Sequence, residues 1–102
     1  MIKHIVMWKL KETAEGRSRT ENMQMMKDML ESLKDSIPEI VKLEVGFNIE
    51  GSPMSFDLAL YSEFKDEKGL EIYQNHPEHL KAKKFVGSVT EKRHVVDYRT
   101  QD

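Results

Sequence analysis

Apolar and polar residues alternate from Ile2 to Leu10. Ile2, His4, Val6, Trp8 and Leu10 fall on one face of an extended segment, and Lys3, Ile5, Met7 and Lys9 on the other. The pattern predicts a first strand whose second face is only partly polar. Residues 11–17 read as a loop. The period then lengthens: Met23, Met26, Leu30, Leu33 and Ile37 recur at steps of three, four, three and four, the stripe of an amphipathic helix. Ser18 or Thr20 is an acceptable N-cap for it, and Pro38 stops it.

Alternation returns over residues 40–49. Val41, Leu43, Val45, Phe47 and Ile49 oppose Lys42, Glu44, Gly46 and Asn48, which predicts a strand with one buried side. Glu50-Gly51-Ser52-Pro53 is turn chemistry. Residues 55–63 predict a third strand, with Phe56, Leu58 and Leu60 against Asp57, Ala59 and Tyr61. Asp66 caps a second helix through about Asn75, with Leu70 and Tyr73 on its apolar side and Gly69 weakening it. His76 precedes a proline and is biased toward extended backbone. Pro77 suits the first turn of a further short helix carrying His79, Leu80 and Phe85. Lys92 to Arg99, with Val95, Val96 and Tyr98, predicts the last strand.

The order β-α-β-β-α-(α)-β is that of a ferredoxin-like α+β sandwich, a four-stranded antiparallel sheet with helices on one face. One domain accounts for residues 1–102. The other sheet face would carry Ile5, Met7, Ala59 and Tyr61. A homodimer packed through the sheet faces covers it most economically. The alternative is a monomer with scattered exposed apolar residues.

Composition narrows the function classes. The chain has no cysteine, so it forms no disulfide and no thiolate metal site. Sixteen basic against eighteen acidic residues leave a net charge of −2, without the basic field of a nucleic-acid binder. The opening apolar run is too short and too interrupted by lysine for a signal peptide or a membrane span. The expectation is a cytoplasmic protein with neither nucleic-acid nor membrane partners.

The stretch Tyr73-Gln74-Asn75-His76-Pro77-Glu78-His79 concentrates acid–base groups. A histidine near its ordinary pKa can take a proton from a carbon next to a carbonyl, and a tyrosine hydroxyl can hydrogen-bond the oxygen that gains charge. Tyr73 shares the apolar side of its helix with Leu70, and His79 lies one turn into the next. His4 shares a strand face with Val6 and Trp8. A pocket between sheet and helices would receive all three as catalytic candidates, walled by Val6, Trp8, Met26, Leu30, Leu43, Val45, Leu58 and Leu60, all but Val45 taken as substrate contacts. The competing reading makes Tyr73 and His79 core-edge residues that brace the fold.

Other chemistry is weakly signalled. His76 and His79 stand at i and i+3 with Glu78 between, unlike the i, i+4 pair of zinc proteases, so no metal site is expected. No serine sits in a nucleophile-elbow motif, and the five glycines are scattered. No cofactor is expected. Met23, Met25, Met26 and Met29 suit either a promiscuous binding surface or a flexible core stripe, and the core stripe is the favoured reading. Lys81, Lys83 and Lys84 have the charge to attract an anionic ligand such as a carboxylate, but a solvated helix face is the favoured reading.

The residues also resemble a known family. Ile2-Lys3-His4-Ile5-Val6-Met7-Trp8-Lys9-Leu10-Lys11, Ser62-Glu63-Phe64, His76-Pro77-Glu78-His79 and Val95-Val96-Asp97-Tyr98 are similar, in order, to motifs of the stress-responsive α/β-barrel (Dabb) domain. The resemblance implies a dimeric α/β barrel in which two ferredoxin-like halves join their sheets. Many such proteins have no assigned activity, and several are linked to stress responses. A plant polyketide cyclase of the family closes a linear chain by aldol condensation without a metal or organic cofactor. Its active-site tyrosine and histidine match Tyr73 and His79, and a first-strand histidine matches His4. A strand histidine of that cyclase is Leu58 here, and helix aromatics are replaced at Met26, Lys27 and Leu30. The resemblance therefore implies a binder of a small carbonyl-containing or polyketide-like molecule, with cofactor-independent cyclase, lyase or isomerase chemistry. A non-enzymatic stress-response dimer, with a structural His-Pro-Glu-His segment, is the alternative.

Overall fold

Strand β1 (Ile2–Leu10) leads into a hairpin of β2 (Thr13–Ala14) and β3 (Arg17–Ser18), then helix α1 (Arg19–Ser36). The chain continues through β4 (Ile40–Phe47), β5 (Leu58–Phe64), α2 (Glu67–Asn75), α3 (Pro77–Val89) and β6 (Thr90–Arg99). The computed structural model describes residues 1–101. The four long strands pair antiparallel in the order β4-β5-β1-β6, the ferredoxin-like arrangement. Val6 sits level with Leu60 on one side and Val95 on the other.

The core lies between one face of the sheet and the helices. Val6, Trp8, Leu43, Val45, Leu58 and Leu60 from the sheet are buried with Met26, Leu30 and Leu33 of α1 and Ala82, Val86 and Val89 of α3. Full burial of each large aliphatic side chain contributes about 1.5–3 kcal/mol before entropy is counted. Helix α1 starts on a complete capping box. Ser18 Oγ accepts from the Glu21 N–H, and the Ser18 N–H donates to the Glu21 carboxylate. It also shields an edge of the sheet. Lys27 Nζ donates to the Val45 carbonyl at 2.7 Å, and the Val45 N–H donates to Glu31 at 3.2 Å. These two side chains occupy backbone groups that an edge strand otherwise leaves open.

Several elements differ from the pattern-based expectation. Residues 13–18 form a hairpin rather than a loop, because Glu15 and Gly16 both adopt positive φ, as a two-residue I′-type turn requires. Strand β4 does not bury the whole Val41–Ile49 face. A bulge between Ile40 and Lys42 puts Ile40 into the core and Val41 out of it. Phe47 is exposed at the strand's end, and Ile49 lies beyond it, 96% exposed. Strand β5 starts at Leu58, so Phe56 precedes it and packs its ring on His94 of β6 instead of joining the core. Helix α3 is 13 residues long, not short, and its Leu80 is exposed. Strand β6 begins at Thr90, two residues early.

The second face of the sheet is uncovered. Ile5 stands level with Tyr61 and Val96, and Met7 with Ala59 and His94. Met7, Val96 and Tyr98 are exposed large apolar side chains. Among the described residues no helix is long and apolar enough to cross a membrane.

Candidate functional site

A cavity of about 430 Å³ opens between the helices and the β1–β6 side of the sheet. His4, Val6 and Trp8 form its floor, and Leu60 and Leu30 close one flank. Tyr73, Gln74 and Asn75 at the end of α2, with His79, Lys83, Val86 and Gly87 of α3, supply the helical wall. Thr90 and Arg93 of β6 complete it.

Helix α2 ends at Asn75 because His76 precedes Pro77 and takes extended backbone (φ −67°, ψ 136°). His76 is also the N-cap of α3, its Nδ1 accepting the Glu78 N–H at 3.1 Å. This turn folds α3 back so that His79 meets Tyr73. Their ring centroids are 4.3 Å apart. Tyr73 also contacts Phe64 at 5.0 Å and His4, edge-on, at 5.9 Å. His4, Tyr73 and His79 therefore form a contiguous row along the cavity.

Each imidazole is oriented by a second group. His79 Nδ1 lies 3.2 Å from the Gln74 carbonyl. A carbonyl only accepts, so Nδ1 carries the proton and Nε2 the lone pair. Burial pushes the His79 pKa below its ordinary value, opposed by the Gln74 bond and assisted by the charges of Lys83, His4 and Arg93. The ring is thus held neutral near pH 7. His4 Nδ1 hydrogen-bonds the carboxylate of Asp97, its partner across the β1–β6 ladder. Nδ1 is again the donor, since a carboxylate oxygen only accepts. Burial pushes the Tyr73 phenol up to about 12, with Arg93 pulling slightly the other way. At neutral pH Tyr73 is a hydrogen-bond donor, not a phenolate. Trp8 adds a buried indole N–H without a hydrogen-bond partner among the described residues.

Of the residues expected here, His4, Val6, Trp8, Leu30, Leu60, Tyr73 and His79 share the cavity. Met26, Leu43, Val45 and Leu58 do not line it; all four are buried in the core. Leu43 belongs to β4, two strands from β1, and so lies under a different part of α1. Asp97, Arg93, Thr90, Gln74 and Asn75 were not anticipated in the site, and Lys83, weighed as an anion contact, was read in favour of a solvated helix face. Asp97 becomes legible only when the β6 register is known. Among the described residues no group of three or more His, Asp or Glu side chains is placed to hold a metal ion.

Comparison with known proteins agrees with this architecture. Residues 2–100 match the profile of the stress-responsive A/B barrel domain. A dimeric ferredoxin-like protein of unknown function from Bacteroides fragilis is 35% identical, with coverage of 97% of this chain and 95% of that one and a TM-score of 0.81. A dimeric ferredoxin-like protein of unknown function from Thermobifida fusca is 22% identical over 97% of this chain and 90% of its own (TM-score 0.84). The hydroxynitrile lyase of Passiflora edulis shares the fold at 19% identity, with 99% and 94% coverage and a TM-score of 0.82. No curated protein matches the sequence.

Proposed function

The chain belongs to the stress-responsive A/B barrel domain family, and from that premise we propose that its cavity binds a small carbonyl-containing or polyketide-like molecule and performs cofactor-independent acid–base chemistry on it, as a lyase, cyclase or isomerase. The observation that carries this reading is the row His4–Tyr73–His79 on the wall of one cavity. His79 Nε2 is the base, since Nδ1–H is committed to Gln74. Tyr73 donates to the substrate oxygen as it gains charge, and its high pKa keeps it protonated for that task. His4, oriented by Asp97, assists. Acid–base help of this kind contributes on the order of 10²–10⁴-fold. The fold it shares with a hydroxynitrile lyase supports the lyase option.

The assembly in this reading is a homodimer joined through the open sheet faces, with Ile5, Met7, Tyr61 and Val96 at the centre. The dimeric state of the related structures supports it. Sedimentation at micromolar concentration is expected to give a species of twice 12.0 kDa; a lone monomer would refute the dimer.

A second reading has its own observation. His76 ties α2 to α3 through a backbone hydrogen bond, a bracing role that a stress-protective dimer without catalysis would also need. A thermal-shift screen of carbonyl metabolites and polyketide-like acids separates the two. The catalytic reading predicts ligands that stabilise the wild type and lose their effect in Tyr73→Phe and His79→Ala. A large fall in melting temperature for both variants, with no compound stabilising the wild type, favours the second reading.

A further inference from the structure

The mouth of the cavity carries an uncompensated positive charge. Lys83 enters it from α3 and Arg93 from β6, and both are exposed, so they stand at the solvent end. Most other well-placed cations have acidic partners: Lys3 pairs with Glu63, Lys27 with Glu31, Lys81 with Glu78 and Arg99 with Glu67. Lys83 and Arg93 form no ion pair with any described residue. No aspartate or glutamate lines the cavity. Asp97, which is outside the lining, is hydrogen-bonded to His4. The inner end is apolar, with Val6, Leu30, Leu60 and Val86. Both cations act on the site itself, since each helps to hold His79 neutral.

From this geometry we propose that the cavity selects an amphipathic carboxylate, its anionic head between Lys83 and Arg93 and its apolar body on the inner wall. The inference rests on the small-molecule reading above and narrows the ligand to a class. A guanidinium presents a planar fork that matches a carboxylate, and an ammonium adds a point charge. Asn75 and Thr90 offer polar groups on the same wall. The apolar body would then lie along Tyr73 and His79, which places a carbonyl within it against the proposed base.

Isothermal titration of 4-phenylbutyrate and its neutral isostere 4-phenylbutyramide tests this. The wild type should bind the carboxylate about tenfold more tightly than the amide, the scale set by two solvent-screened charge pairs. In Lys83→Gln/Arg93→Gln that preference should fall close to one, with amide affinity and melting temperature unchanged. Equal binding by the wild type, or a preference that survives the double variant, overturns the inference and leaves the small-molecule reading standing. Failure of both probes to bind overturns both.

Discussion

Replacing Tyr73 separates packing from chemistry at one position. The ring is 1% exposed and touches His4, Phe64 and His79 at centroid distances of 5.9, 5.0 and 4.3 Å. Tyr73→Ala removes all of that, and truncating a buried aromatic costs about 3–5 kcal/mol. For a domain of this size each kcal/mol moves the melting temperature by about 4–8 °C, so a drop above 12 °C is expected. Tyr73→Phe removes only the hydroxyl, which donates to no described residue. It leaves no orphaned partner, so stability should stay within about 0.5 kcal/mol of wild type or rise slightly. A bound carbonyl, by contrast, loses one hydrogen bond, about 0.5–1.5 kcal/mol or 2- to 12-fold in affinity. Circular-dichroism melts and a calorimetric titration with 4-phenyl-2-butanone read the two effects separately. A Tyr73→Phe melt more than about 10 °C below wild type, with ketone binding unaltered, would refute the reasoning by making the hydroxyl structural.

Other expectations rest on single contacts. Because burial lowers the folded-state pKa of His79, its neutral form contributes stability that is present above the unfolded value near 6.5 and is lost as pH falls through the folded value. Urea unfolding at pH 7.5 and 5.5 should therefore show a smaller loss for His79→Gln than for wild type; equal losses would contradict the assignment. Gly69 is buried in α2 with only ordinary contacts awaiting a Cβ, at 3.5 Å or more. Gly69→Ala should stabilise by about 0.4–1 kcal/mol in a thermal melt, and destabilisation would show that the helix start cannot take the methyl. Glu31→Ala strips the Val45 N–H of its acceptor and should cost about 1 kcal/mol, with faster hydrogen exchange confined to β4. Uniformly faster exchange across the sheet would instead indicate a global effect.

The architecture was largely legible in the chain. Period-two runs at 2–10 and 40–49, the α1 stripe and the signals at Asp66 and Pro77 suffice for a ferredoxin-like order. Breaks in that pattern were not legible. The bulge that turns Val41 outward and the positive φ of Glu15 arise from pairing geometry that residue type alone does not encode. The site divides in the same way. Tyr73 and His79 belong to one local turn, and His4 to an unambiguous strand face, so all three were visible. Asp97 reaches His4 across 93 positions of sequence, and Lys83 and Arg93 meet only through the fold. Met26, Leu43 and Leu58 have the right character for a wall, but apolarity does not distinguish filled core from cavity lining.

The most direct test is a two-bond proton–nitrogen correlation spectrum of the histidine rings at pH 7.5. Two imidazoles whose Nδ1–H is committed to Gln74 and Asp97 underlie the proposed base and its helper. His79 is predicted to be neutral with the proton on Nδ1 and Nε2 bare, and to shift when a carbonyl ligand is added. A His79 protonated on Nε2, or a cationic ring at that pH, would contradict the account.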